Sequence, residues 1–187
     1  MEKLVFLKQY FKKPRTVGAI LPSSKYLADK MIEGLDFENA KYIVELGPGT
    51  GIFTENIVRN RKADTVIMLF EYDYNFCKIL RDKYKNEPNL YIINDSAEYM
   101  GNYLSEYNIP YVDYIVSGLP FASLSSNVSS KILSEAQNLL GNNGKFITFQ
   151  YTLLKKKFIK QYFNKIAVSW ELRNIPPAYV FCCRRHI

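Results

Sequence analysis

The stretch VELGPGTGIF, residues 44–53, decides the fold. Val44 and Leu46 close a short apolar run, and three glycines follow at alternate positions, Gly47, Gly49 and Gly51, before Ile52 and Phe53 open a helical pattern. A buried strand that runs through a glycine loop into a helix lets the backbone approach a ligand where a Cβ would obstruct it. In an open α/β sheet such a loop lies beyond the carboxyl ends of the strands, where ligands bind.

Outward from this loop the chain alternates. Strands are expected at Tyr42–Leu46, Thr65–Glu71, Leu90–Ile93, Tyr114–Gly118 and Lys145–Tyr151, with helices at Phe53–Arg59, Tyr74–Tyr84, Ala97–Glu106 and Ser129–Leu140. That alternation is the signature of a parallel sheet covered on both faces. GNNGK, residues 141–145, reads as a turn before the fifth strand. A helix is expected around Lys156–Phe163, and then AVSWELRN and AYVFCCRR flank Pro176 and Pro177. So short a connection permits only antiparallel pairing. The expected architecture is therefore α/β, a seven-stranded and mostly parallel sheet finished by a C-terminal antiparallel hairpin, in one domain spanning residues 1–187.

The glycine spacing is GxGxG, and an acid, Glu45, stands directly before it. A pyrophosphate would be repelled there. S-adenosylmethionine suits the site better, because it carries no phosphate and its ammonium can be held by Glu45, directly or through water. Glu71 ends the second strand twenty residues after Gly51, where a carboxylate can accept from both ribose hydroxyls. Asp95, Ser96 and Ala97 end the third strand and would border the adenine. SGLPF, Ser117–Phe121, ends the fourth and would reach the transferable methyl. Taken singly, Glu71 and Asp95 could be turn acids or helix caps, and Phe121 and Tyr151 could be packed aromatics; the register of the acids with the glycine loop favours a site.

The chain has 187 residues, 48% of them hydrophobic, enough for one substantial core. Its 25 basic against 18 acidic side chains, net +7, favour an anionic partner, nucleic acid or anionic lipid. Three cysteines without CxxC spacing argue against a disulfide framework or a zinc site, so no metal is expected, and a reducing cytoplasm fits. The lone histidine, His186, belongs to a basic tail and no catalytic histidine is expected. No apolar run approaches the ~20 residues of a membrane span.

The opening MEKLVFLKQYFKKPR places Leu4, Leu7 and Phe11, with Phe6 and Tyr10, on one helical face and Lys8, Lys12 and Lys13 on the other. This amphipathic segment, residues 1–13, could cap the core, serve as a nucleic-acid arm or lie in a membrane surface. After it, Ser23 or Ser24 reads as the N-cap of a helix that buries Leu27 and Met31.

These motifs resemble the class I S-adenosylmethionine-dependent methyltransferases, whose fold is Rossmann-like. More closely, PRTVGAILPSSKYLADKM, VELGPGTGIFT, FEYD, SGLPF and the ending NIPPAYVF resemble the bacterial phospholipid N-methyltransferases. The resemblance implies methylation of the amine of phosphatidylethanolamine, once or successively towards phosphatidylcholine, by a cytoplasmic enzyme attached peripherally to the inner face of the cell membrane through Leu4, Leu7, Lys8, Phe11, Lys12 and Lys13. Nucleic acid is then not the expected partner. The related rRNA adenine N6-methyltransferases are the alternative. They usually carry an asparagine-led NLPY-like motif, where this chain is expected to have Ser117 for the asparagine and Phe121 for the tyrosine, and a further helical RNA-binding domain, which is not expected here.

The expected reaction is in-line attack of a neutral amine on the sulfonium methyl. Glu98, the carbonyls of Ser117–Phe121, Leu119 among them, or solvent are candidates to take the ammonium proton. Lys25, Tyr26, Tyr151 and Arg184 are candidate donors to the lipid phosphate.

Overall fold

The computed structural model describes residues 24–184; Leu4, Leu7, Lys8, Phe11, Lys12 and Lys13 lie outside the described residues. Side chains of the central strands alternate between two buried layers, as a period of two requires. Ile43 of β1 (Tyr42–Leu46) and Ile67 and Leu69 of β2 (Val66–Phe70) face one layer, while Val44, Leu46, Met68 and Phe70 face the other. The first layer is covered by α1 (Lys25–Ile32) through Leu27 and Met31, by α2 (Ile52–Asn60) through Phe53 and Ile57, and by Leu80 of α3 (Tyr74–Lys83). The second is covered by α4 (Met100–Glu106), α5 (Ser126–Leu139) and α6 (Lys156–Ile159).

The remaining strands are β3 (Leu90–Ile93), β4 (Val112–Ser117), β5 (Leu140–Gln150), β6 (Lys165–Glu171) and β7 (Ala178–Arg184). All seven form one sheet in the order β3-β2-β1-β4-β5-β7-β6. β1 to β5 run parallel, and β7 descends antiparallel between β5 and β6. The mostly parallel sheet and the terminal hairpin expected from the sequence are both present. The reversal of order beside β1 leaves a crevice at the carboxyl ends of β1 and β4, where the glycine loop lies.

Three local expectations are corrected. GNNG is not a turn before β5: the strand already pairs at Leu140, and two steps along β4, from Val112 to Tyr114, are matched by five along β5, from Leu140 to Lys145. The surplus residues form a bulge. Ala97–Glu106 divides into a 3-10 turn (Ala97–Tyr99) and α4, and the helix after β5 ends at Ile159. Ser24 is the N-cap of α1, its hydroxyl accepting from the Leu27 N–H at 3.2 Å. Among the described residues no helix is long and apolar enough to cross a membrane.

Candidate active site

The loop after β1 is built from backbone that only glycine adopts readily. Gly47, Gly49 and Gly51 have φ of 69°, 56° and 83°. The Gly47 N–H donates to the Phe70 carbonyl at 2.9 Å, the Gly51 N–H donates to the Pro48 carbonyl at 2.9 Å, and Gly51 caps α2. A Cβ on Gly47 would come within 2.8 Å of Leu119 Cδ2, whereas one on Gly49 would meet nothing within 4 Å. The loop is thus packed against the β4 end at Gly47 and open at Gly49.

Two buried carboxyls stand beneath it. Glu45 is fully buried; its Oε2 accepts from the Thr54 hydroxyl at 2.7 Å, and its Oε1 has no hydrogen-bond partner. Burial pushes its carboxyl up to about 8, opposed by the Thr54 bond and assisted by the nearby Glu71 charge. Glu71 holds the loop from below: Oε2 accepts from the Gly49 N–H at 3.0 Å and Oε1 from the Asp73 N–H at 2.8 Å. Burial raises this carboxyl too, against the pull of those two amides. Each oxygen keeps a lone pair for a further donor such as a ribose hydroxyl. Thr54 and Asp73 were not foreseen as site residues; Asp73, which caps α3, is recognisable in FEYD by the acid before a helix.

These features fit S-adenosylmethionine. An unpaired oxygen on a fully buried carboxyl calls for a cation or donor, Gly49 leaves room, and Glu71 retains acceptor capacity. Glu45 would hold the amino group, Glu71 the ribose and Gly49 the backbone face between them.

At the β3 end, Asp95 accepts from the Ser96 N–H at 2.7 Å and from the Tyr103 hydroxyl at 2.9 Å. Ser96 caps the 3-10 turn, and the Ala97 methyl packs into the core, so what Ala97 offers a ligand is its backbone. Glu98 accepts from the Ser96 hydroxyl at 3.1 Å and pairs with Lys131 of α5 at 3.6 Å. Glu98, the candidate proton acceptor, thus also links the turn to α5.

The β4 end closes over the glycine loop. Ser117 is buried, its hydroxyl accepting from the Leu119 N–H at 3.3 Å, and the Gly118 N–H donates to the Leu46 carbonyl at 2.8 Å. A Cβ on Gly118 would stand 2.7 Å from the Gly47 carbonyl oxygen. The Leu119 carbonyl accepts from Gln150 Nε2 at 3.4 Å. Gln150 was missed as a site residue, although an amide ending an otherwise apolar strand is a legible signal. Phe121 was expected to contact substrate. It is instead fully buried in the core, edge-on to Phe146 with centroids 6.1 Å apart.

The expected lipid-phosphate donors separate. Lys25 is exposed on the first turn of α1, and Tyr26 carries the Arg173 guanidinium 4.3 Å from its ring centroid. The Ser24 N–H donates to Asn174 of the β6–β7 connection at 3.0 Å, which places this end of α1 on the rim of the site. Tyr151 follows β5 at the same rim, its phenol pushed up by burial, with Asn174 acting in the other direction. Arg184 is corrected: antiparallel β7 pairs it with Lys145, at the opposite end of β5 from Gln150. Five residues of strand put it about 17 Å from the site end.

The family model for ribosomal RNA adenine dimethylase matches residues 13–169. An ornithine lipid N-methyltransferase of Singulisphaera acidiphila is 29% identical over 182 residues, covering 96% of this chain and 94% of its own. Ribosomal RNA small subunit methyltransferase A of Borreliella burgdorferi is 30% identical over 134 residues, 69% of this chain; the matched part is 45% of that enzyme. A phosphoethanolamine N-methyltransferase of Haemonchus contortus, solved with phosphoethanolamine and S-adenosylhomocysteine, shares the fold at a TM-score of 0.69 and 11% identity, over 99% of this chain and 49% of its own. With a family match reaching from ahead of α1 into β6, over a site fitted to S-adenosylmethionine, the chain belongs to the ribosomal RNA adenine dimethylase family and is a class I S-adenosylmethionine-dependent methyltransferase.

Proposed function

We propose that this methyltransferase acts on the primary amine of a membrane lipid, phosphatidylethanolamine or an amino-acid lipid such as ornithine lipid, at the inner face of the cell membrane. Gly118 carries this reading. In an NLPY-like motif the asparagine precedes the aromatic by three residues, and three before Phe121 stands Gly118, not Ser117. Its Cβ would stand 2.7 Å from the Gly47 carbonyl oxygen, backbone against backbone, so the site has no room for an amide that would grip an adenine amine. Phe121, where a stacking ring would be needed, is withdrawn into the core. A flexible alkylamine needs neither group. The near full-length similarity to an ornithine lipid N-methyltransferase supports the same substrate class.

S-adenosylmethionine, when bound, would supply an electrophilic methyl on a sulfonium, to which a neutral amine bonds as the carbon–sulfur bond breaks and S-adenosylhomocysteine leaves as a thioether. Glu45 Oε1 would hold the cofactor's amino group, and Glu71, which fixes Gly49, would take the ribose hydroxyls. The Leu119 carbonyl accepts from the Phe121 N–H at 3.1 Å and from Gln150 Nε2 at 3.4 Å, so both lone pairs are used and the segment that borders the incoming amine is held in place. With Glu98 paired to Lys131, the ammonium proton leaves to solvent before transfer. Packing of SGLP on the glycine loop excludes side chains from the place where the two reactants meet.

The test is incubation of the purified protein with methyl-labelled S-adenosylmethionine and three acceptors in parallel: anionic vesicles with phosphatidylethanolamine, the same vesicles with ornithine lipid, and unmodified ribosomal RNA. Label in either lipid is expected, and the two vesicles identify which. Label in RNA alone would overturn the lipid reading.

A further inference from the structure

Four aliphatic side chains project from the end of the sheet that carries the site. Leu153 and Leu154 lie between β5 and α6, and Leu172 and Ile175 lie in the β6–β7 connection; they are 44%, 83%, 64% and 71% exposed. None joins either core layer. The strand register sets the two loops side by side, since Gln150 pairs with Tyr179 and Glu171 with Ala178 at the ends from which they emerge. Through Gln150, the first loop is tied to the Leu119 carbonyl.

The second loop is rigidly held. Glu171 accepts from the Arg173 guanidinium through both oxygens at 2.9 Å, and Asn174 accepts from the Ser24 N–H while donating to the Pro176 carbonyl at 2.7 Å. Polar bonds therefore hold the loop in a shape that leaves its aliphatic tips, Leu172 and Ile175, largely exposed. Beyond Leu154, Lys155 lies 5.2 Å from the Phe158 ring centroid, and Lys156 and Lys157 follow, both exposed and, among the described residues, in no ion pair.

We propose that this rim is a membrane-docking surface, Leu153, Leu154, Leu172 and Ile175 entering the acyl boundary of an anionic bilayer while Lys156 and Lys157 meet its phosphates. The inference rests on the lipid-amine reading above and adds attachment residues at the mouth of the site. Aliphatic tips flanked by free ammonium groups match a bilayer interface, which offers hydrocarbon and anionic head groups in adjacent layers. Trp170, Tyr72 and Tyr74 are also exposed at this end of the sheet, so RNA, which stacks its bases on aromatic faces, is the competing partner that the test separates. The opening residues 1–15 carry Lys3, Lys8, Lys12, Lys13 and Arg15 against Glu2 alone, a charge that suits the same anionic partner. Docking here turns the crevice at the ends of β1 and β4 towards the head-group plane.

The experiment uses the full chain, the variants Leu154→Asp, Leu172→Asp and their combination, and a Lys156→Gln/Lys157→Gln variant. Sedimentation with vesicles of phosphatidylcholine and phosphatidylglycerol, which lack a primary amine, measures attachment apart from methylation. Cofactor affinity by calorimetry, expected unchanged, reports the fold. Each aspartate should lower partitioning roughly tenfold or more, and each lysine change roughly fivefold at low salt, an effect lost at about 0.5 M salt. Vesicle binding equal to the parent's in the double aspartate variant would overturn the proposal, as would loss of RNA retention with vesicle binding untouched. Weakened vesicle binding without label in any lipid would uphold the docking surface and remove the acceptor reading.

Discussion

Replacing Glu45 by Gln should change the pH dependence of stability in a calculable way. Its carboxyl, ordinarily near 4.5, is raised to about 8 mainly by burial, so the native state binds this proton more tightly than the unfolded chain. The resulting contribution to stability is complete below the unfolded value and disappears as pH rises through the folded one. Between about pH 5.5 and pH 7.5 the loss is about 2 to 3 kcal/mol, at ~1.36 kcal/mol per unit. Glutamine keeps an acceptor for the Thr54 hydroxyl and cannot ionise. Glu71, also raised, is present in both proteins, and because its charge helps raise Glu45 the comparison reads the titration of the pair. Urea unfolding of cofactor-free protein at the two pH values should therefore show the parent losing about 2 to 3 kcal/mol more than Glu45→Gln. Cofactor binding should suffer in the variant, which has no carboxylate for the amino group, so stability and function part at this residue. Parallel pH profiles in the two proteins would refute the assignment of a buried neutral carboxyl.

Glu71→Ala removes the acceptor for two loop amides as well as for the ribose, and calorimetry should show S-adenosylmethionine binding weakened by about 1 to 3 kcal/mol. Gly118→Ala forces a methyl against the Gly47 carbonyl oxygen; urea denaturation should show a loss of about 1 to 3 kcal/mol, with cofactor affinity falling alongside. Arg184→Gln, at the far end of the sheet, should leave the KM for lipid within about twofold of the parent, since surface changes away from a site act weakly. A large rise in KM would return Arg184 to the substrate site.

Alternation of apolar residues, glycines after a strand and acids at strand ends are local properties of the chain, and they carried far. β1 and β3 match their expected bounds, Ser24 caps α1, and Glu45, Gly49 and Glu71 meet at one loop, because a strand, a turn and a cap are each decided by a few neighbouring residues. Other features depended on contacts between distant parts of the chain. Glu98 is engaged by Lys131, Leu119 by Gln150, and Gly118 is confined by Gly47. Phe121 went to the core because Phe146 lies beside it, and Arg184 went to the wrong end for catalysis because β7 entered between β5 and β6 running downward. Sequence alone determined the type of site, since ligand-approaching backbone and buried acids need particular residue types in a short span. Tertiary structure decided which side chains remain free to use it, because a donor, an acceptor or a volume already occupied by a distant partner is no longer available to a substrate.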